Sequence, residues 1–211
     1  MKAVAITANP DPESLTLAVG NAFLNGAAEG GALTDLIDLY AEGFDPTYTM
    51  EDRLHYSEQG PLPQDVAALQ DRIADADVLT FVFPMYWFGM PAMMKGFFDR
   101  VLCRRFAYHA DGTEGALAGK KVRLLILCGG REDDFRRNGV NDAVETQICQ
   151  RTLTDYCAIT DIEKMYIDGL GNGEDADEES AQDIRQRLVH VSLMGRQLAL
   201  EGGSGEDGAR G

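Results

Sequence analysis

The chain has 211 residues, 45% of them apolar, and a formal net charge of −16 at neutral pH. That length suits one large domain or two small ones, and the apolar share is enough for a sizeable core. The charge, with no basic patch of any length, argues against nucleic acid and against an anionic membrane surface as partners.

Met1-Lys2 leads straight into a first strand, KAVAITA, residues 2–8. This opening is too short for a signal core and is soon broken by Asn9 and Pro10, so a cytoplasmic protein is expected. The strand ends in a loop of Asn9, Pro10, Asp11 and Pro12, and Ser14 stands at a helix start. Free N–H groups and the dipole make such a start a place for phosphate, and an ordinary serine cap has the same signature. A helix over residues 14–29 carries Leu15, Ala18, Val19, Ala22 and Phe23 on one face. A weaker, alternating strand spans 32–39. Residues 40–63 read as a long irregular connection, and 64–76 as an amphipathic helix.

Residues 78–102 hold the most informative stretch. An uncharged β-run, 78–83, breaks at Pro84 into an aromatic loop of Tyr86, Trp87 and Phe88, turns at Gly89, and restarts as a helix over 92–102 behind Pro91. About twenty apolar residues are needed to cross a bilayer. The two prolines and Gly89 interrupt this run, and Lys95, Asp99 and Arg100 close it, so direct membrane insertion is not expected. A strand feeding a helix through such a loop is where open α/β sheets bind planar ligands, and a plain core strand with packed aromatics would look similar.

A fourth strand, 121–128, ends at Gly129-Gly130, which allow close backbone approach to a flat ligand. A polar loop, REDDFRRNGVN, follows, with Phe135 and Asn141 as its possible site residues. Residues 141–156 read as helix, 161–168 as a fifth strand, and 178–200 as a last helix after an acidic loop. Four cysteines, Cys103, Cys128, Cys149 and Cys157, form no C-x-x-C pair, and with three histidines they make no metal constellation. They read as small core residues of a reduced protein.

Alternation of buried strands with helices implies a doubly wound parallel sheet, and five strands fit the flavodoxin-like order 2-1-3-4-5 with helices on both faces. One domain over residues 1–200 and a disordered tail over 201–211 are expected. No G-x-G-x-x-G follows the first strand, and there is no Walker loop.

FPMYWFGMPAMMKGFFDRV, from Phe83 to Val101, resembles the F-P-x-x-W-F-x-x-P-A-x-x-K-G run of the NAD(P)H:quinone oxidoreductases. That group includes mammalian quinone reductases, bacterial modulators of drug activity and ancillary flavoproteins of potassium efflux. Weaker support comes from the Asn9–Ser14–Leu15 loop, Phe106-Ala107-Tyr108, Gly129-Gly130 and TLTDYCAI. The resemblance implies a flavin, FAD or else FMN, reduced by NADPH or NADH and reoxidised by a quinone in ping-pong fashion, in a homodimer. By position, Ser14, Leu15 and Thr16 would hold the flavin phosphate. Pro84, Met85, Tyr86, Trp87 and Phe88 would run beside the isoalloxazine. Cys128, Gly129 and Gly130 would meet its pyrimidine edge, and Tyr108 and Phe135 would line the substrate pocket.

The chain departs from the family at several of these positions. Asn9 stands where the family often has His, and Cys128 where it usually has Thr. Phe135 and Asn141 replace the Tyr/His pair of the mammalian enzymes. Asn141 is then the residue left to help stabilise reduced flavin. A regulatory flavoprotein partner of a membrane transporter and a flavodoxin-type electron carrier are the alternative functions, although NPDPESLT does not match the Ser/Thr-rich phosphate loop of such carriers.

Overall fold

The computed structural model describes residues 1–170 and 178–204. Five strands form one parallel sheet: β1 (Lys2–Thr7), β2 (Leu33–Asp38), β3 (Val78–Pro84), β4 (Lys121–Leu127) and β5 (Asp161–Ile167). Their order is β2-β1-β3-β4-β5, as the alternation of the sequence implies. Ala3 pairs with Val78 and Val78 with Lys121, so the carboxyl ends of β1, β3 and β4 emerge side by side. Chain direction across the sheet reverses between β1 and β3, which is where such sheets open a crevice.

Successive strand side chains point to opposite faces, and each face has its own core. Val4, Ile6, Phe81, Phe83, Leu124 and Ile126 pack under α3 (Gln64–Ala74), α4 (Ala92–Val101) and the helices that follow β4. Ala3, Ala5, Val78, Val82, Leu125 and Leu127 pack under α1 (Leu15–Glu29) and α7 (Glu178–Ser204). Small residues on the second face let α1 and α7 come close. A Cβ on Gly26 would lie 1.8 Å from the Ser192 carbonyl oxygen, and one on Gly195 would lie 2.1 Å from that of Phe23.

Four helical segments differ from expectation. The 40–63 connection contains α2 (Met50–Tyr56), started by a reciprocal cap: the Thr49 hydroxyl accepts from the Asp52 N–H, and the Asp52 carboxylate accepts from the Thr49 N–H. The polar stretch after β4 contains α5 (Glu132–Asn138), with three acidic residues in its first turn, Arg136 and Arg137 in its last, and left-handed Gly139 (φ 85°) behind it. The helix expected over 141–156 is two: α6 (Val140–Val144) and a π-helix (Glu145–Tyr156). Inside the π-helix the Thr152 hydroxyl donates to the Gln147 carbonyl five residues back. Helix α7 runs to Ser204, past the expected end at 200, and the rest of the tail lies outside the described residues, as does most of the acidic loop before α7.

Candidate functional site

The loops after β1, β3 and β4 form the candidate site, and each is fixed by its own hydrogen bonds. After β1, Asn9 braces the turn: its amide donates to the Thr16 hydroxyl at 3.1 Å and its oxygen accepts from the Asp11 N–H at 3.0 Å. Ser14 caps α1 by accepting from the Leu17 N–H at 3.3 Å. The Leu15 and Thr16 N–H groups are left without a partner among the described residues, at the positive end of a 15-residue helix. Lys and Arg are absent from residues 9–18. An anion here would be held by N–H and hydroxyl groups alone.

After β3, Tyr86 and Gly89 exchange two backbone hydrogen bonds, each 3.1 Å. Trp87 and Phe88 between them both have positive φ, 49° and 62°. Two positive central residues mark a type I′ turn, which normally takes Asn and Gly, so bulky aromatics here are strained. Tyr86, Trp87 and Phe88 are 52%, 96% and 60% exposed, which rules out Trp87 as a core anchor. The Trp87 and Phe88 N–H groups have no partner among the described residues. The turn is tied to the sheet through the Met85 N–H, which donates to the Leu127 carbonyl at 2.7 Å, and Pro84 ends β3 opposite Leu127.

After β4, the segment beyond β5 braces the glycine loop. Leu170 donates to the Cys128 carbonyl and Gly169 to the Gly130 carbonyl, while the Gly129 N–H stays free among the described residues. Cys128 is buried, and burial pushes its thiol up to about 12, so it is an inert packing residue. Phe135 is 5% exposed and lies beneath Gly130, where a Cβ would meet its Cζ at 2.8 Å. It therefore backs the glycine loop. Asn141, on α6, is half-buried, and its amide donates to the Asp142 carboxylate at 3.3 Å. Tyr108 sits outside the three loops, in the 104–118 segment, with its ring edge-on to Tyr156.

Two contributors carried no local signal in the sequence reading. The Asp168 carboxylate, just past β5, accepts from the Glu132 N–H at 2.8 Å and pairs with Arg187 at 2.9 Å, so it anchors α5 beside the glycine loop. Tyr166 packs its ring 5.6 Å from that of Phe135, and its buried hydroxyl has no partner among the described residues. Burial pushes that hydroxyl up to about 12. Removing an unsatisfied buried hydroxyl leaves no partner stranded. Tyr166→Phe is therefore expected to leave stability unchanged or to raise it by up to about 1 kcal/mol in urea unfolding. A loss of that size would mean the hydroxyl has a partner.

A family model described as "Flavodoxin-like fold" matches residues 1–191. A ribosyldihydronicotinamide dehydrogenase [quinone] from Pongo abelii is 32% identical over 158 residues, 66% of this chain and 68% of that one. The chain belongs to the flavodoxin-like NAD(P)H:quinone oxidoreductases, a family of flavin-dependent enzymes. Another relative, described as an uncharacterized NAD(P)H oxidoreductase of Haemophilus influenzae, is 32% identical over 166 residues, 77% of this chain and 81% of that one. Among solved structures, an NAD(P)H:quinone oxidoreductase from Methanothermobacter marburgensis superposes with a TM-score of 0.83 at 28% identity, covering 94% of this chain and 96% of that one. Among the described residues, no helix is long and apolar enough to cross a membrane.

Proposed function

We propose that this chain is an NAD(P)H:quinone oxidoreductase that binds FAD at the three loops and acts as a homodimer. The observation that carries the reading is the gathering of N–H groups without a partner among the described residues, from Leu15, Thr16, Trp87, Phe88 and Gly129, at the carboxyl end of one sheet. When bound, the flavin would take a hydride from NADPH or NADH and deliver it to a quinone, in two half-reactions at one place.

Ser14, Leu15 and Thr16, braced by Asn9, would hold the phosphate. Pro84 to Phe88 would border the ring system, with the Trp87 and Phe88 N–H groups as donors to its edge. The Gly129 and Gly130 N–H groups would stabilise negative charge gathering at the pyrimidine end, since that of Cys128 donates to the Ile167 carbonyl. Asn141 offers an amide hydrogen bond and no titratable proton. Tyr108 would meet the acceptor, and Phe135 would act indirectly, by backing Gly130.

FAD is favoured over FMN by the 40–63 connection. Arg100 pins that segment to α4 while its Tyr40 and Tyr48 rings stay exposed. The exposed Tyr86, Trp87 and Phe88 rings favour a homodimer, since a second copy would cover them.

Ser14→Ala removes a helix cap and one phosphate donor. It is expected to weaken FAD binding about tenfold in a fluorescence titration, with a stability loss of about 1 kcal/mol. The reaction itself is tested by steady-state kinetics with NADPH and a benzoquinone. Parallel double-reciprocal lines are expected for two half-reactions at one site, and lines that intersect would contradict the proposal.

A further inference from the structure

The end of β5 and the residues just past it form a clasp on the glycine loop. The Cys128 N–H donates to the Ile167 carbonyl at 3.0 Å, the Leu170 N–H to the Cys128 carbonyl at 3.3 Å, and the Gly169 N–H to the Gly130 carbonyl at 3.1 Å. Gly169 makes its turn at φ 67°, in the left-handed region. The fit is close: a Cβ on Gly129 would lie 3.2 Å from the Leu170 carbonyl oxygen. The Gly129 and Gly130 N–H groups are left without a partner among the described residues.

Asp168 ties this clasp to two helices. Its Oδ2 accepts from the N–H of Glu132, the first residue of α5, at 2.8 Å, and its Oδ1 accepts from Nη1 of Arg187 on α7 at 2.9 Å. Arg187 is itself held by Asp183, one turn back, at 2.8 Å. The Asp168 and Arg187 side chains are only 19% and 23% exposed. Burial pushes the Asp168 carboxyl up, but the Glu132 N–H and the Arg187 guanidinium outweigh it and hold the group below its ordinary 3.8. It is therefore a charged acceptor at neutral pH. One turn along α5 from Glu132 stands Phe135, the ring that backs Gly130. The carboxylate thus fixes both the start of α5 and the support beneath the loop.

We propose that Asp168 is a positioning residue for the flavin: it holds the glycine loop so that the Gly129 and Gly130 N–H groups meet the pyrimidine end, and so favours reduced flavin over oxidised. Given the flavin site proposed above, on which this rests, reduction adds negative charge at that end. Donors already fixed in place bind the charged form more tightly and raise the potential. Donors free to move must be reordered when the charge arrives, and part of the difference is lost. Both Asp168 oxygens are taken by Glu132 and Arg187, so the residue acts through the loop.

The test is the two-electron midpoint potential of the FAD-loaded protein, measured by equilibrium reduction against a reference dye in Asp168→Asn and Asp168→Ala. Both variants lose the same charge, and only asparagine keeps an acceptor for the Glu132 N–H. The midpoint is expected about 30 mV lower in Asp168→Ala than in Asp168→Asn, a tenfold loss of preference for reduced flavin. Glu132→Pro removes the same bond from the donor side, at a first helical position that tolerates proline. Its midpoint is expected to fall by a similar amount relative to Glu132→Gln, which keeps the test open if Asp168→Ala fails to fold. A residue that only supported the fold would weaken both flavin forms alike and leave the midpoints equal. Midpoints within about 10 mV of each other, a factor of about two, overturn the proposal. A wild-type protein that takes up no FAD would overturn the flavin site itself, and this role with it.

Discussion

Arg100→Met is expected to cost about 3–5 kcal/mol of folding stability, the usual loss when one partner of a buried ion pair is removed. The Arg100 and Asp52 side chains are each only 4% exposed, with Nε 3.0 Å from the carboxylate. The same guanidinium donates to the Asp45 carbonyl at 2.7 Å and pairs with the outer carboxylate of Asp65 at 2.7 Å. One side chain on α4 thus fixes α2, the start of α3 and the segment between β2 and α2. The Asp65 limb is half exposed and solvent-screened, so the loss comes mainly from stranding Asp52. Replacing Asp52 as well, in Arg100→Met/Asp52→Leu, is expected to recover much of the stability.

The pH dependence follows from the same pair. Burial pushes the Asp52 carboxyl up, but hydrogen bonds from Thr49 and Arg100 outweigh it and hold the group below its ordinary 3.8. A depressed carboxyl contributes its full stabilisation above that ordinary value and loses it as pH falls through the lower folded one. Wild-type stability should therefore decline below about pH 4, and in Arg100→Met, where the stranded Asp52 carboxylate is relieved by taking up a proton, that decline should shrink or reverse. Urea unfolding across a pH series measures both. A loss under about 1 kcal/mol at neutral pH would mean that the network is not what holds the segment.

Replacing the strained turn should separate stability from activity. Trp87→Asn with Phe88→Gly puts the favoured type I′ pair at positions that already have positive φ. Strain of this kind costs on the order of 1–3 kcal/mol per residue, so the double variant should gain about 1 kcal/mol or more. The aromatic border of the proposed flavin site goes with it. Reduction of bound flavin by NADPH is expected to fall about 100-fold, the scale of loss when reacting rings are no longer held in place. A variant that is both more stable and fully active would show that the strain serves some other purpose.

Much of this fold can be read from residue patterns because the sheet is parallel and buried. Uncharged runs such as 78–83 cannot be anything but interior strand or helix, and the prolines at 84 and 91 decide between them. The three site loops were legible for the same reason, since each follows such a run. Helices α2 and α5 were not, because their residues are polar and their starts depend on caps. One is a Thr49–Asp52 box, and the other is completed by Asp168 from the far side of β4. The π-helix escaped because hydrophobic periodicity does not separate it from an α-helix over so few turns. Phe135 looked like a pocket residue from its place in a polar stretch, and only its contact with Gly130 and Tyr166 shows it to be buried. The Tyr108–Tyr156 ring contact joins segments nearly fifty residues apart, which no local pattern reports.

The most direct test of the central claim is anaerobic stopped-flow absorbance of the flavin-loaded protein, mixed first with NADPH and then with a benzoquinone. Rapid bleaching of the flavin, followed by an equally rapid two-electron return of its colour, is the predicted result. Flavin that binds but stays oxidised for minutes would contradict the reductase reading and favour a carrier or regulatory role.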